Sequence, residues 1–424
     1  MIQTIKLEDK KSIERIKQRS TADFELVLNR VKPIIQNVRK FGDEALIKYT
    51  KEYDCFSLTT KTIKVDGGEI KEAYKRVDKK VIEALKKAKE NIETYCKLQL
   101  PKSWSKEVKK GIKVGQLVKP LEKVGCYVPS GNFPLPSSVL MTVVPAKVAG
   151  VTEVIICSPP KSNSYAILVA ADIAGADKIF RVGGAQAIAA MAYGTATIPK
   201  VDKIVGPGNI FVTAAKKLVY GDVGIDFLAG PSEILILAEK GNPKFIASDM
   251  LAQAEHDRLA SAILVTTNSR LAKEVEKELE KQLKELSPRN FASESLRKYG
   301  AIVIAKNLDE AIKFANDFAP EHLEIVVNDK DKVISKLKNF GALFVGEYSP
   351  EAAGDYVVGP NHVLPTGGVA KFRAGLSVLD FVKMPTIQEL SKEGLKSLKE
   401  TITAIANVEG LEAHKKSVEK RFLR

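Results

Sequence analysis

Only four histidines occur in the chain, His256, His322, His362 and His414, and each stands among other polar residues able to bind or pass protons. Imidazole titrates near pH 6.5, and its neutral form ligates metals, so this sparing use points to metal ligation or acid–base work. One such histidine alone is more often a satisfied core or surface residue; four in such company argue against that. Gln253-Ala254-Glu255-His256 closes a helix expected to begin near Lys244, and its i, i+3 spacing lets Gln253 and His256 approach one ion from the same side. A Gln-x-x-His pair is common, and by itself it specifies little. In Pro320-Glu321-His322 an acid and an imidazole stand side by side before an apolar strand, which suits a general acid–base pair. Glu321 fits a helix-end carboxylate equally well. Asp355, seven residues before His362, offers a hard oxygen ligand, and His414 follows Glu409 by five residues in the C-terminal tail. Nitrogen and oxygen donors without thiolate suit zinc or another divalent first-row ion.

Glycine loops supply the second chemical signal. Gly206-Pro207-Gly208-Asn209 follows a short apolar run and opens a helix, so a phosphate can rest on the free N–H groups there. The third glycine of the dinucleotide fingerprint is missing, and a tight turn between strand and helix explains the string as well. Similar loops are Pro129-Ser130-Gly131, Gly183-Gly184-Ala185-Gln186, Gly230-Pro231-Ser232 and Gly359-Pro360-Asn361-His362.

The elements that must carry these residues change character along the chain. Residues 1–110 are lysine-rich, with helical spacing over Asp23–Tyr49 and Val81–Leu98. From about residue 111, short β-branched runs (Glu153–Cys157, Lys178–Val182, Lys203–Val205, Ile234–Ala238, Ala262–Val265, Ala301–Ala305, Leu323–Val327, Ala342–Val345) alternate with helical stretches such as Ser164–Ala174, Ala185–Tyr193 and Asn209–Tyr220. Buried parallel strands with crossover helices give that texture. An α/β fold follows, and ligands are expected beyond the carboxyl ends of its strands. After about residue 376 a lysine- and glutamate-rich helical tail runs to Arg424, as a decoration or as an arm for a partner subunit.

Composition narrows the class. With 424 residues, 45% of them apolar, the chain can bury more than one core. The opening residues lack a secretory core, and no apolar run reaches the roughly 20 residues of a membrane span, so the expectation is a cytoplasmic protein. Cys55, Cys96, Cys126 and Cys157 lie far apart without a Cys-x-x-Cys pair, which excludes a thiolate zinc knuckle and a disulfide scaffold. The net charge of +14 is spread among alternating lysines and glutamates, as in residues 273–278, which is the pattern of a solvated helix face. No nucleic-acid motif accompanies it.

Seven strings, Gly125-Cys126-Tyr127-Val128-Pro129, the run from Gly183 to Ala190, Gly206-Pro207-Gly208-Asn209, Ala229-Gly230-Pro231-Ser232-Glu233, Gln253-Ala254-Glu255-His256, Ala319-Pro320-Glu321-His322-Leu323 and the run from Gly359 to Thr366, resemble those of the histidinol dehydrogenase family in order and spacing. Glu409 to His414 extends the likeness into the tail. The resemblance implies zinc held by Gln253, His256, Asp355 and His414, with Glu321 and His322 as the catalytic acid–base residues. It implies substrate contacts at Ser232, Gln253, His256, His322, Asp355, Glu409 and His414, and NAD near Tyr127, Gln186 and Asn209. His362 falls inside a matching string with only a supporting role. The implied activity is a four-electron oxidation of L-histidinol through L-histidinal to L-histidine, in a homodimer whose tails complete each other's sites.

The expected division has an N-terminal helical extension (1–20) and a discontinuous first α/β domain (21–126 with 233–376). A second, NAD-side α/β domain (127–232) and a partner-contacting helical tail (377–424) complete it. Both α/β domains are expected to be Rossmann-like, with mostly parallel sheets. Two rivals remain. A zinc and NAD dehydrogenase for another amino or sulfonated alcohol would alter the substrate contacts, and a metal-dependent hydrolase would leave the glycine loops without a purpose.

Overall fold

A computed structural model of the protein describes residues 2–18, 24–130, 134–161, 164–287 and 290–423. Asp23, at the head of one expected helix, and Gly131, in one expected loop, lie outside these residues. The chain divides into two compact units, residues 1–99 with 121–381 and residues 100–120 with 382–424.

The strands begin with β1 (Gln3–Lys6), β2 (Trp104–Lys109), β3 (Ile112–Gln116), β4 (Lys119–Pro120) and β5 (Lys123–Tyr127). They continue with β6 (Glu153–Cys157), β7 (Lys178–Phe180), β8 (Lys203–Val205), β9 (Gly224–Ile225) and β10 (Glu233–Ala238). The remainder are β11 (Ser261–Thr266), β12 (Ala301–Ile304), β13 (His322–Val326), β14 (Ala342–Val345), β15 (Val382–Lys383) and β16 (Thr386–Leu390).

The first unit holds two sheets. One has the order β7-β6-β5-β8-β9 and the other β1-β12-β11-β10-β13-β14. Every pairing in both is parallel. Leaving β1 aside, the two sheets share one order, with the first strand in the middle and the switch point between the first and fourth strands. β10, β11 and β13 are buried along their whole length, which is why β10 and β11 read as nearly continuous apolar runs rather than as alternating ones. Among the described residues, no helix is long and apolar enough to cross a membrane.

Three features depart from the expected elements. The N-terminal segment, expected to be helical, opens with β1, which pairs with Ala301–Ile304. The expected helix over Asp23–Tyr49 is two helices, Phe24–Phe41 and Asp43–Asp54, parted at Gly42 with φ 52°, a left-handed conformation that glycine adopts at little cost. In the second unit, β16 and β2 both pair antiparallel with β3, inside stretches expected to be helical. β2 is exposed along its whole length, so no burial imprints an alternation on its residues. Its pairing comes from β3, which in turn reaches β16 some 270 residues further along the chain, a partner that local pattern cannot announce.

Candidate active site and metal centre

The helix Pro243–Ala254 starts with Asn242 accepting from Lys244 N–H (3.0 Å) and with proline at its first position, where a missing N–H costs nothing. It ends before His256, whose N–H reaches back to the Gln253 carbonyl at 3.3 Å. That tight last turn sends the two side chains to one region, as the spacing predicts. Gln253 is fully buried, while His256 keeps an exposed edge. One turn earlier on this helix, Asp249 hydrogen-bonds to Glu324 of β13. Burial pushes both carboxyls up, so the pair keeps a shared proton and pins the helix to the sheet.

His322 is the first residue of β13, in register with Ile234 of β10 and Ala342 of β14. The site therefore lies at the amino ends of the six-stranded sheet. This corrects the expectation, general for such sheets, that the ligand residues gather at the carboxyl ends. The His322 ring packs tilted against Phe344 at 5.9 Å and is 3% exposed. Its Nδ1 lies 3.2 Å from the Glu233 carbonyl, which can only accept, so a hydrogen on Nδ1 leaves the Nε2 lone pair free. Nε2 is buried without a hydrogen-bond partner in the described residues, and lies 3.9 Å from Asp355 Oδ1. Burial drives the imidazole down to about 4, against the pull of Asp355, so the ring is neutral at pH 7.

Glu321 is 5% exposed; its Oε2 accepts from Glu233 N–H at 2.9 Å, and its carboxyl group also hydrogen-bonds the Ser232 side chain. Burial raises this carboxyl well above the ordinary range, outweighing those two hydrogen bonds. Asp355 and Glu351 lie one turn apart on the short helix Glu351–Tyr356. Asp355 Oδ2 sits 3.3 Å from His256 Nε2, while His256 Nδ1 donates to the Ala252 carbonyl at 3.0 Å. Burial opposes a charge on His256, yet the hydrogen bond to Asp355 and the nearby Glu351 outweigh it and lift the imidazole to about 9. Burial likewise opposes a charge on Asp355, and His256 nevertheless holds it below the usual carboxylate range. Glu351 is pushed well up by burial and by Asp355. The Gln253 amide oxygen lies 2.9 Å from His322 Nδ1 and accepts its hydrogen in the tautomer that leaves Nε2 free.

These residues fit a divalent ion. Donor atoms of His256, Glu351 and Asp355 lie within 4.8 Å of one another. The His256 Nδ1–H bond to a backbone carbonyl is the kind that fixes the tautomer of a ligating imidazole and presents Nε2.

The Tyr127, Gln186 and Asn209 positions lie at the carboxyl side of the other sheet, where β5 and β8 flank the switch point. Tyr127 ends β5, is buried, and accepts from Gly184 N–H at 3.1 Å through its hydroxyl. Gln186 is buried in the first turn of the Gly184–Tyr193 helix. Asn209 caps the Ile210–Val219 helix, accepting from Phe211 and Val212 N–H at 3.1 and 3.2 Å. Before it, Gly206 has φ 116°, and a Cβ there would stand 2.1 Å from the Tyr127 carbonyl, so only glycine lets the loop close on β5. Gly206 N–H donates to Asp226 Oδ2 (2.8 Å) and its carbonyl accepts from Lys216 Nζ (3.0 Å). Lys216 and Asp226 form a buried ion pair with each other.

Contacts within the first unit bring the two regions together. His362 Nδ1–H donates to the Asp355 carbonyl at 2.8 Å, leaving Nε2 to accept from Ser138 Oγ at 3.3 Å on the helix after β5. Thr366 Oγ1 accepts from Gly230 N–H, and Glu233 Oε1 from Gly367 N–H at 3.1 Å. Gln253, His256, Glu321, His322, Asp355 and Ser232 thus share one neighbourhood. Glu409 and His414 lie in the second unit, exposed, at the end of the Lys392–Val408 helix and on the Glu412–Glu419 helix. Glu351, Glu233 and the Lys216–Asp226 pair carry no expected role. Glu351 was the readable one, four residues before Asp355 and so on its helix face.

A family model described as histidinol dehydrogenase matches residues 17–422. A histidinol dehydrogenase of Methanothermobacter thermautotrophicus is 49% identical over 418 residues, covering 98% of each chain. One of Clostridium acetobutylicum is 49% identical over 426 residues, covering 100% of this chain and 98% of the relative. Among solved structures, the histidinol dehydrogenase of Elizabethkingia anophelis superposes with TM-score 0.93 at 36% identity, covering 99% of this chain and 98% of the other.

Proposed function

Because the chain belongs to the histidinol dehydrogenase family, an oxidoreductase family of histidine biosynthesis, we propose that it oxidises L-histidinol through L-histidinal to L-histidine with two NAD per substrate and a zinc ion. The observation that carries the roles is the buried, unpartnered Nε2 of His322 beside the His256, Asp355 and Gln253 donors. Gln253, His256 and Asp355 would hold zinc, with His414 of the partner subunit as the remaining ligand. When bound, zinc supplies a fixed point for the substrate's nitrogen donors, and NAD accepts hydride. Ser232, Asp355 and the partner subunit's Glu409 would complete the substrate's contacts.

His322, held neutral, takes the alcohol proton at Nε2 as hydride leaves carbon, which gives the aldehyde. Glu321, made a stronger base by its burial, takes a proton from the water that adds to the aldehyde. His322, after releasing its first proton to solvent, receives the hydrate's hydroxyl proton as the second hydride departs. Tyr127, Gln186 and Asn209 flank the NAD crevice at the switch point, where the Gly206 loop leaves N–H groups at a helix start.

The homodimer reading rests on the tail. Val408 is 91% exposed and Leu411 41%, an apolar surface on either side of Glu409 and before His414. A biosynthetic enzyme of this kind works in the cytoplasm.

Two measurements test the assignment. Zinc-loaded protein given histidinol and NAD should form two NADH per histidinol consumed. His322→Asn should lower kcat by about 10²–10⁴-fold with zinc content unchanged. Loss of zinc with wild-type turnover per bound metal would refute the role given to His322.

A further inference from the structure

A dinucleotide site of the Rossmann kind places an acid at the end of its second strand, where the carboxylate takes a hydroxyl of the adenosine ribose. In the sheet β7-β6-β5-β8-β9 the second strand is β6, paired with β5. Ser158-Pro159-Pro160-Lys161 follows it, and no acid occurs between Glu153 and Asp172. A carboxylate for that task must come from another element.

The helix Asp43–Asp54 brings one. At its first residue, Asp43 Oδ2 accepts from Thr197 Oγ1 at 2.6 Å, just past the carboxyl end of the Gly184–Tyr193 helix. The two helices pack against each other, so they run antiparallel and Asp54 comes to the side where the second helix starts. There its charge is felt by Tyr127, whose hydroxyl holds Gly184 N–H, and by Lys161. Asp54 Oδ2 is buried without a hydrogen-bond partner among the described residues. Two hydroxyls at the same strand ends share that condition. Ser130, 1% exposed, stands three residues past β5, and Ser158, 6% exposed, directly follows β6. Buried polar atoms are rarely left unpaired in a folded protein, so three in one crevice mark a place where a polar ligand is received.

We propose that Asp54 reads the adenosine ribose of the cofactor, accepting its hydroxyls and repelling the 2′-phosphate of NADP. The inference rests on the NAD reading given above and adds the residue that selects between the two dinucleotides. A carboxylate facing a phosphate is a like-charge contact, which costs far more than a lost hydrogen bond. With that carboxylate removed, the neighbouring Lys161 favours a phosphate at the same place.

Histidinol oxidation by the zinc-loaded, full-length protein, run with NAD and with NADP, tests this on Asp54→Asn, Asp54→Ser and Asp54→Glu. Thermal melting establishes that each variant is folded, and the Ser variant decides the matter should the Asn variant fail to fold. Loss of the carboxylate should raise KM for NAD and lower KM for NADP. The ratio of kcat/KM for NAD to that for NADP should fall by about 10²-fold. Zinc content and KM for histidinol should stay near wild type, and Asp54→Glu, which keeps the charge, should keep the preference for NAD. A wild-type ratio in the Asn and Ser variants would overturn the inference, even with KM raised for both dinucleotides, since that is the mark of a merely structural role. Wild-type protein that uses NADP as well as NAD would overturn it too. Wild-type protein that reduces neither dinucleotide would overturn the NAD reading and the inference together.

Discussion

His362 donates its Nδ1–H to the backbone carbonyl of Asp355 at 2.8 Å. Its other nitrogen accepts from Ser138 at 3.3 Å, so one ring ties the Asp355 loop to the helix that follows β5. Burial holds this imidazole below its ordinary range, in keeping with a neutral ring that gives one hydrogen bond and takes one.

His362→Phe keeps the ring and removes both bonds. Leaving the Asp355 carbonyl and Ser138 unpaired should cost about 1–3 kcal/mol of stability. Zinc affinity should fall by about 10–100-fold, because Asp355 loses its orientation. Chelator competition and thermal unfolding read both effects. Unchanged zinc affinity would mean that the ring serves packing alone.

The Lys216–Asp226 pair fixes both polar atoms of the Gly206 peptide. Lys216→Met strands a buried carboxylate, so stability should drop by about 3–5 kcal/mol. Adding Asp226→Asn should recover part of that stability without recovering the loop. KM for NAD should stay raised about tenfold in the double variant, with zinc content and kcat at saturating NAD near wild type. If the double variant has a wild-type KM for NAD, the loop does not need the pair.

The neutral, buried His322 makes stability depend on pH in a defined direction. Its folded value is about 4 against an ordinary 6.5. Between these values the unfolded chain binds a proton that the folded chain refuses, so this residue's contribution to stability is lost as pH falls from 6.5 toward 4. The loss amounts to about 3 kcal/mol. Melting curves of zinc-free wild type and His322→Asn across that window should show the variant gaining relative stability at low pH. Parallel curves would place a proton on His322 in the folded state.

Sharing of the site between subunits has its own test. His256→Ala and His414→Ala homodimers should each be inactive. After subunit exchange, each heterodimer should hold one intact site, restoring about a quarter of wild-type activity in an equal mixture. No recovery would place Glu409 and His414 in their own protomer's site, or in none.

The sequence by itself determined the α/β class, most of the strands and the side chains able to do chemistry. Buried parallel strands are mostly apolar, so the cores of β10 and β11 stand out unaided. The Gln253–His256 spacing was legible for a similar reason, since one helical turn brings neighbours together regardless of context. Only the tertiary structure brought His322 near Asp355 and Glu351, which come from a helix some 30 residues on. It alone paired β2 and β16 through β3 and set Lys216 and Asp226 around Gly206. Local pattern records which face of an element is buried. Which elements meet is decided by packing over the whole chain, and with it the charges and tautomers of the groups that meet there.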